Sequence, residues 1–171
     1  LRISRLEVRI LSGVLDFPAA LCVPIRDSGP QREGEVMIDF GSDEWAKAFM
    51  EQINQSEAYA EAAKTWEGDF FFIVESEEHY PEPLHIYVDL WHGKCREAFS
   101  TTDGSVKDPA FRMSGPLENW RRVIEKKLDP LQGLLTRQFK LQGDMVKIMR
   151  AVKAAQELVN CTTLVPAEFP E

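Results

Sequence analysis

Cysteine is scarce in this chain. Cys22, Cys95 and Cys161 are odd in number and far apart, so they supply neither a disulfide framework nor a zinc-site spacing. Free thiols in a reducing, cytoplasmic compartment are the expectation. Positive charge is also short: 20 Lys and Arg stand against 28 Asp and Glu, a formal net charge of -8. Nucleic-acid binding is excluded on that ground, because phosphate recognition needs a concentrated cationic face. Tight electrostatic docking of the whole molecule on anionic lipid is disfavoured too. No apolar run approaches the ~20 residues of a membrane span. The arginines Arg2, Arg5 and Arg9 precede the apolar stretch from Ile10 to Ile25. Asp16 and Pro18 interrupt it, however, and no small-residue cleavage site follows, so a secretory signal is not expected. Phosphate-cradling glycine loops and nucleophile elbows are missing as well.

What is present is ordinary globular material: 171 residues, 44% hydrophobic and 28% charged, enough for one domain with a sizeable core. The first methionine is Met37, and Arg26–Gly34 is a polar linker. The expected boundary therefore falls at residue 36, with a domain over 37–171. Residues 1–36 are left open as a fragment edge, a cloning remnant or translated upstream sequence. Within them Leu6, Val8 and Ile10 alternate with charged residues, as in an added strand.

Ser42 is a good N-cap, and Trp45, Phe49 and Ile53 recur every four residues, which predicts a helix over 43–54. Ser56 caps a second helix carrying Tyr59, Ala62, Ala63 and Trp66, ended by Gly68. The period then changes. Phe70–Val74 is a continuous apolar, β-prone run, a strand buried on both faces. Leu84, Ile86, Val88 and Leu90 alternate with polar residues in a second strand, and His92-Gly93 turns the chain into a third over 94–101. Phe111 and Met113 begin a fourth strand, ended by Gly115-Pro116. Helical spacing returns at Leu117, Trp120, Val123, Ile124 and Leu128, and Asp129-Pro130 starts a short helical turn through Leu134. Residues 136–141 alternate as a fifth strand. Gly143-Asp144 then caps a last helix from Met145 to Val159, and the tail 165–170 is extended. Helices and strands are segregated, so the fold class is α+β: a five-stranded, mostly antiparallel sheet covered on one face by helices.

Three stretches resemble the sterol-carrier-protein family of type two. They are Gly68–Val74, the hairpin Ile86-Tyr87-Val88-Asp89-Leu90-Trp91-His92-Gly93-Lys94, and Asp129-Pro130-Leu131-Gln132 followed by Phe139-Lys140-Leu141-Gln142-Gly143-Asp144-Met145. The likeness covers roughly residues 40–160. Arg137 departs from it, standing where members often carry glycine. The resemblance implies a non-enzymatic lipid carrier with an apolar tunnel between helices and sheet. Its ligand would be a fatty acid, fatty acyl-CoA, phospholipid or sterol-like molecule, with no cofactor. It also allows a substrate-presenting module beside a lipid-metabolising enzyme. Oligomeric state is left open.

The candidate lining follows element by element. Phe49 comes from the first helix; Phe70, Phe72, Ile86, Val88 and Met113 come from the sheet. Trp120, Ile124, Leu134 and Leu135 come from the middle helices, and Met145, Ile148, Met149 and Val152 from the last. The plainer alternative is that all of these are core. A 16-carbon chain gains on the order of 12 kcal/mol gross at roughly 0.8 kcal/mol per methylene, before ordering costs, so no special polar chemistry is needed. Lys147, Arg150 and Lys153 lie on the outer side of the last helix, where they could make transient contact with a membrane or simply be solvated.

Catalysis and metal binding find no footing. His85 and Asp89 share a strand face but lie about 13 Å apart, at ~3.3 Å per residue. His92 sits in a turn, His79 in a polar loop, and Cys95 has no evident base.

Overall fold

A computed structural model describes residues 37–78 and 81–170. The expected strand near Leu6–Ile10, the linker and His79 lie outside the described residues.

The chain begins with a two-residue strand β1 (Ile38–Asp39) and the helix α1 (Asp43–Gln55). The Ser42 side chain accepts from the Trp45 N–H at 3.1 Å, and Asp43 and Glu44 occupy the first turn, where the helix dipole favours carboxylates. Ser56 ends α1 and caps α2 (Glu57–Ala62). This second helix is shorter than its stripe predicts. Trp66 lies beyond it, and Gly68 belongs to the strand β2 (Glu67–Val74) rather than ending the helix. The Phe111 ring packs where a Gly68 Cβ would stand, 2.9 Å away, so a close approach explains the glycine.

β3 (Leu84–Trp91) and β4 (Lys94–Thr101) form the expected hairpin. His92 and Gly93 both take positive φ, +46° and +76°, as a two-residue turn of matching twist requires. A Cβ on Gly93 would lie 2.4 Å from the Ala60 carbonyl oxygen, so the turn tip is pressed against α2. A bulge between Asp89 and Leu90 leaves Arg96 as the extra residue, and its guanidinium grips Asp89 with two 2.9 Å bonds.

The chain next crosses the sheet in the loop 102–110 and returns as β5 (Phe111–Gly115) beside β2. The sheet order is β4-β3-β2-β5-β6, with β2 and β5 parallel and the other three pairings antiparallel. The α+β class and five-stranded sheet expected from sequence are thus found, with one parallel pair that the alternation could not show. Helices α3 (Leu117–Ile124) and α4 (Pro130–Leu135) follow, the latter capped by Asp129 with Pro130 in the first turn.

Two expectations are corrected here. The strand predicted over 136–141 is only β6 (Lys140–Gln142). Arg137 takes φ +60°, the left-handed conformation that a glycine would hold without cost, and this kink turns the chain before the strand begins. Phe139 is thereby buried as a plug against Gly115 and Gly133, its ring 4.6 Å from that of Trp120. The predicted single last helix is two: α5 (Met145–Arg150), capped by Asp144, and α6 (Val152–Thr162), separated at Ala151. The extended tail supplies β7 (Ala167–Glu168), which pairs in parallel with β1. Phe169 stacks on Phe40 at 4.7 Å.

Candidate functional site

Along β2 and β3 the side chains alternate between two faces. On the face toward the helices stand Phe70, Phe72 and Val74 from β2, Ile86 and Leu90 from β3, and Met113 from β5. The aromatic rings form a continuous wall. Phe70 stacks on Phe72 at 5.3 Å and on Phe111 at 4.9 Å, and Phe72 meets Trp120 edge-on at 5.7 Å. Across from this wall, α6 presents Ala154, Ala155, Leu158 and Val159, with Ala151 at its start.

Alanines opposite a wall of fixed rings leave space that longer side chains would fill. The result is a cavity of about 110 Å³ lined by 24 residues, almost all apolar. Trp45 and Phe49 of α1, Tyr59 of α2, Trp120 and Ile124 of α3, Leu131 and Leu134 of α4 and Ile148 of α5 complete it. Trp120 donates its indole N–H to the carbonyls of Ile73 and Gly115 at 3.1 and 3.2 Å, which fixes that ring. The Trp45 indole N–H is buried without a partner. Burial pushes the Tyr59 phenol far above its ordinary range, so the ring stays neutral in the wall.

Of the sequence-predicted lining, Phe49, Phe70, Phe72, Ile86, Met113, Trp120, Ile124, Leu134 and Ile148 border this cavity. Val88 and Met145 do not: Val88 is fully buried in the sheet core, and Met145 is half-buried against the core. Leu135, Met149 and Val152 point to solvent instead. Leu135 is the last residue of α4, next to the inward Leu134, and Met149 and Val152 flank the break at Ala151. Sequence reasoning missed Trp45, Tyr59 and the alanines. Trp45 and Tyr59 lay on recognised apolar stripes; small residues on the stripe of a helix that faces a sheet were the overlooked signal for empty volume.

The residues weighed for chemistry are engaged elsewhere. Asp89 holds Arg96, and the His92 ring bonds the Lys64 carbonyl at 2.7 Å and faces Glu67 at 3.1 Å. Burial pushes the Cys95 thiol up to about 12, which leaves it a thiol, and lowers the His85 imidazole toward its neutral form. No group of three His, Cys, Asp or Glu side chains among the described residues is placed to hold a metal. No helix among them is long and apolar enough to cross a membrane.

Comparison with known proteins agrees with this geometry. The model of the SCP-2 sterol transfer family matches residues 46–156, well over half of the chain. A crystal structure of sterol carrier protein 2 superposes with a TM-score of 0.69 at 32% identity, covering 74% of this chain and 99% of that one. The solution structure of a conserved hypothetical protein from Thermus thermophilus, described as possibly a sterol carrier protein, gives 0.70 at 31% identity, covering 76% and 92%. A sterol carrier protein domain from Helicoverpa armigera shares the fold at 20% identity and a TM-score of 0.50, covering 77% and 96%. No curated protein sequence matches the chain.

Proposed function

The chain belongs to the SCP-2 sterol transfer family, and from that premise we propose that it binds single lipid molecules in the cavity and carries them without chemistry of its own. The observation that supports this is apolar volume left open between the sheet and α6, with no charged group in its wall. Such a site selects by shape and hydrophobicity. A fatty acid, fatty acyl-CoA, phospholipid or sterol-like molecule would place its apolar part there and its head group outside. On a scale where a water-sized sphere takes roughly 10–15 Å³, the cavity of about 110 Å³ holds several methylene-sized groups. A whole acyl chain requires the wall to yield, and the break between α5 and α6 at Ala151 is the place where it can. Free, buried Cys95 and Cys161 fit a reducing cytoplasm.

The test is displacement of a fluorescent fatty acid from delipidated protein by palmitate, palmitoyl-CoA, a phospholipid and cholesterol, followed by transfer of the best ligand between vesicles. Micromolar or tighter binding with transfer is expected. Binding without transfer would shift the role to presenting lipid to an enzyme. No binding by any of the four would remove the carrier assignment.

A further inference from the structure

Three indoles stand in the cavity wall, and two of them have their N–H groups paired. Trp120 donates to the carbonyls of Ile73 and Gly115, and Trp66 donates to the Gly68 carbonyl at 3.0 Å. The Thr162 hydroxyl in the same wall is likewise engaged, donating to the Val159 carbonyl at 2.7 Å. Trp45 is the exception. Its ring borders the cavity, the residue is only 3% exposed, and its Nε1–H is buried without a partner.

The rings beside it offer no remedy. Phe40 meets the indole edge-on with centroids 5.0 Å apart, and Phe49 lies at 5.3 Å. Neither side chain carries an oxygen or nitrogen, and a ring face is a weak acceptor. The backbone is fixed too, because the Trp45 N–H is held by the Ser42 hydroxyl oxygen at 3.1 Å in the first turn of α1. A buried donor without an acceptor destabilises the fold, and most buried polar groups avoid that state. An exception in the wall of a ligand cavity is explained if the ligand supplies the acceptor. An indole donates and cannot accept, so its complement is an oxygen with lone pairs. Most of the wall is apolar, so an oxygen that entered at any other depth would lose its water without replacement.

We propose that the Trp45 indole N–H donates to an oxygen carried within the apolar part of the ligand, so that the cavity selects chains bearing a ketone or similar acceptor over plain saturated chains. This inference rests on the carrier assignment and deepens it: the head group stays outside, and a second oxygen meets Trp45 inside. A cavity of about 110 Å³ is smaller than a whole chain, so a chain that spreads the wall reaches an atom that the closed wall covers.

The experiment compares stearate with a series of oxostearates whose single ketone is moved along the chain. Each displaces a fluorescent fatty acid from the delipidated full chain. One ketone position is expected to bind about fivefold tighter than stearate, as one net hydrogen bond contributes. Ketones at distant positions should bind more weakly than stearate, since their oxygen is buried unpaired. Trp45→Phe keeps a ring and removes the N–H, and the ratio of the best oxostearate affinity to that of stearate should fall below one. In the native protein the Trp45 indole proton should move downfield in the NMR spectrum with the best oxostearate and not with stearate. The role of Trp45 is overturned if no oxostearate binds tighter than stearate, or if the indole proton does not move. It is overturned also if the preference survives in Trp45→Phe and is lost in Tyr59→Phe, which would assign the oxygen to the phenol of the same wall. Failure of the native chain to bind stearate and oxostearates alike would instead strike the carrier assignment itself.

Discussion

The two faces of the sheet solve opposite problems. The outer face carries Asp69, Phe71, His85, Tyr87, Asp89 and Phe99, a mixed set tied together by most of its polar atoms, the His85 Nδ1 alone among them being buried without a hydrogen bond. The crossing loop 102–110 lies over it: Lys107 sits 5.1 Å above the Tyr87 ring and pairs with Glu97, and Gly104 is pressed against the His85 imidazole. Tyr87 donates to Asp69 at 2.9 Å, and the Ala110 N–H donates to the other Asp69 oxygen. Phe71 is completely buried there, edge-on to His85 and Tyr87. The inner face is mostly apolar, α6 sets Ala154 and Ala155 beside Leu158 and Val159 across from it, and there a void persists. A polar face must close, because each unmet donor or acceptor costs about 1–3 kcal/mol. The apolar inner face instead borders the cavity of about 110 Å³.

The comparison breaks most visibly at neighbouring phenylalanines. Phe71→Ala should destabilise by about 3–5 kcal/mol in urea denaturation, as for a fully packed ring. Phe72→Ala, at the half-buried cavity wall, should cost roughly half of that, since its ring already borders open space. Equal losses would mean that the inner face is packed as tightly as the outer. Next in size is Ala154→Leu, which puts three more carbons into the cavity. It should weaken fatty-acid binding at least about tenfold while changing stability by less than about 1 kcal/mol, because overpacking is costly only where no room exists. The smallest effect is expected on the outer face. Tyr87→Phe removes one hydrogen bond to Asp69, should cost about 1 kcal/mol in the same denaturation assay, and should leave ligand affinity untouched.

Those contrasts were only partly visible in the chain itself. Local signals were reliable: the Ser42, Asp129 and Asp144 caps, the His92-Gly93 turn and the alternation from Leu84 to Leu90 all lead to the observed elements. Features set by distant contacts were not. The parallel pairing of β2 with β5 depends on a loop that crosses β3 and β2, which periodicity does not encode. Neither proline nor glycine marks the break at Ala151, so a single helix was the natural expectation. Arg137 was noticed as a departure from the family pattern, but its left-handed φ and the inward turn of Phe139 needed coordinates. Nine of the fourteen candidate lining residues border the cavity because an apolar stripe does define the inner side of a helix or strand. Met149 and Val152 stand outside it because their stripe assumes a helix unbroken at Ala151, and Leu135 because it follows the inward Leu134 at the end of α4.

Native mass spectrometry of gently purified protein tests the central claim most directly. A single lipid-sized adduct on the folded chain, removed by organic extraction and restored by added fatty acid, is the result that the open inner face requires. A chain that flies bare before extraction and takes up no fatty acid afterwards would contradict it.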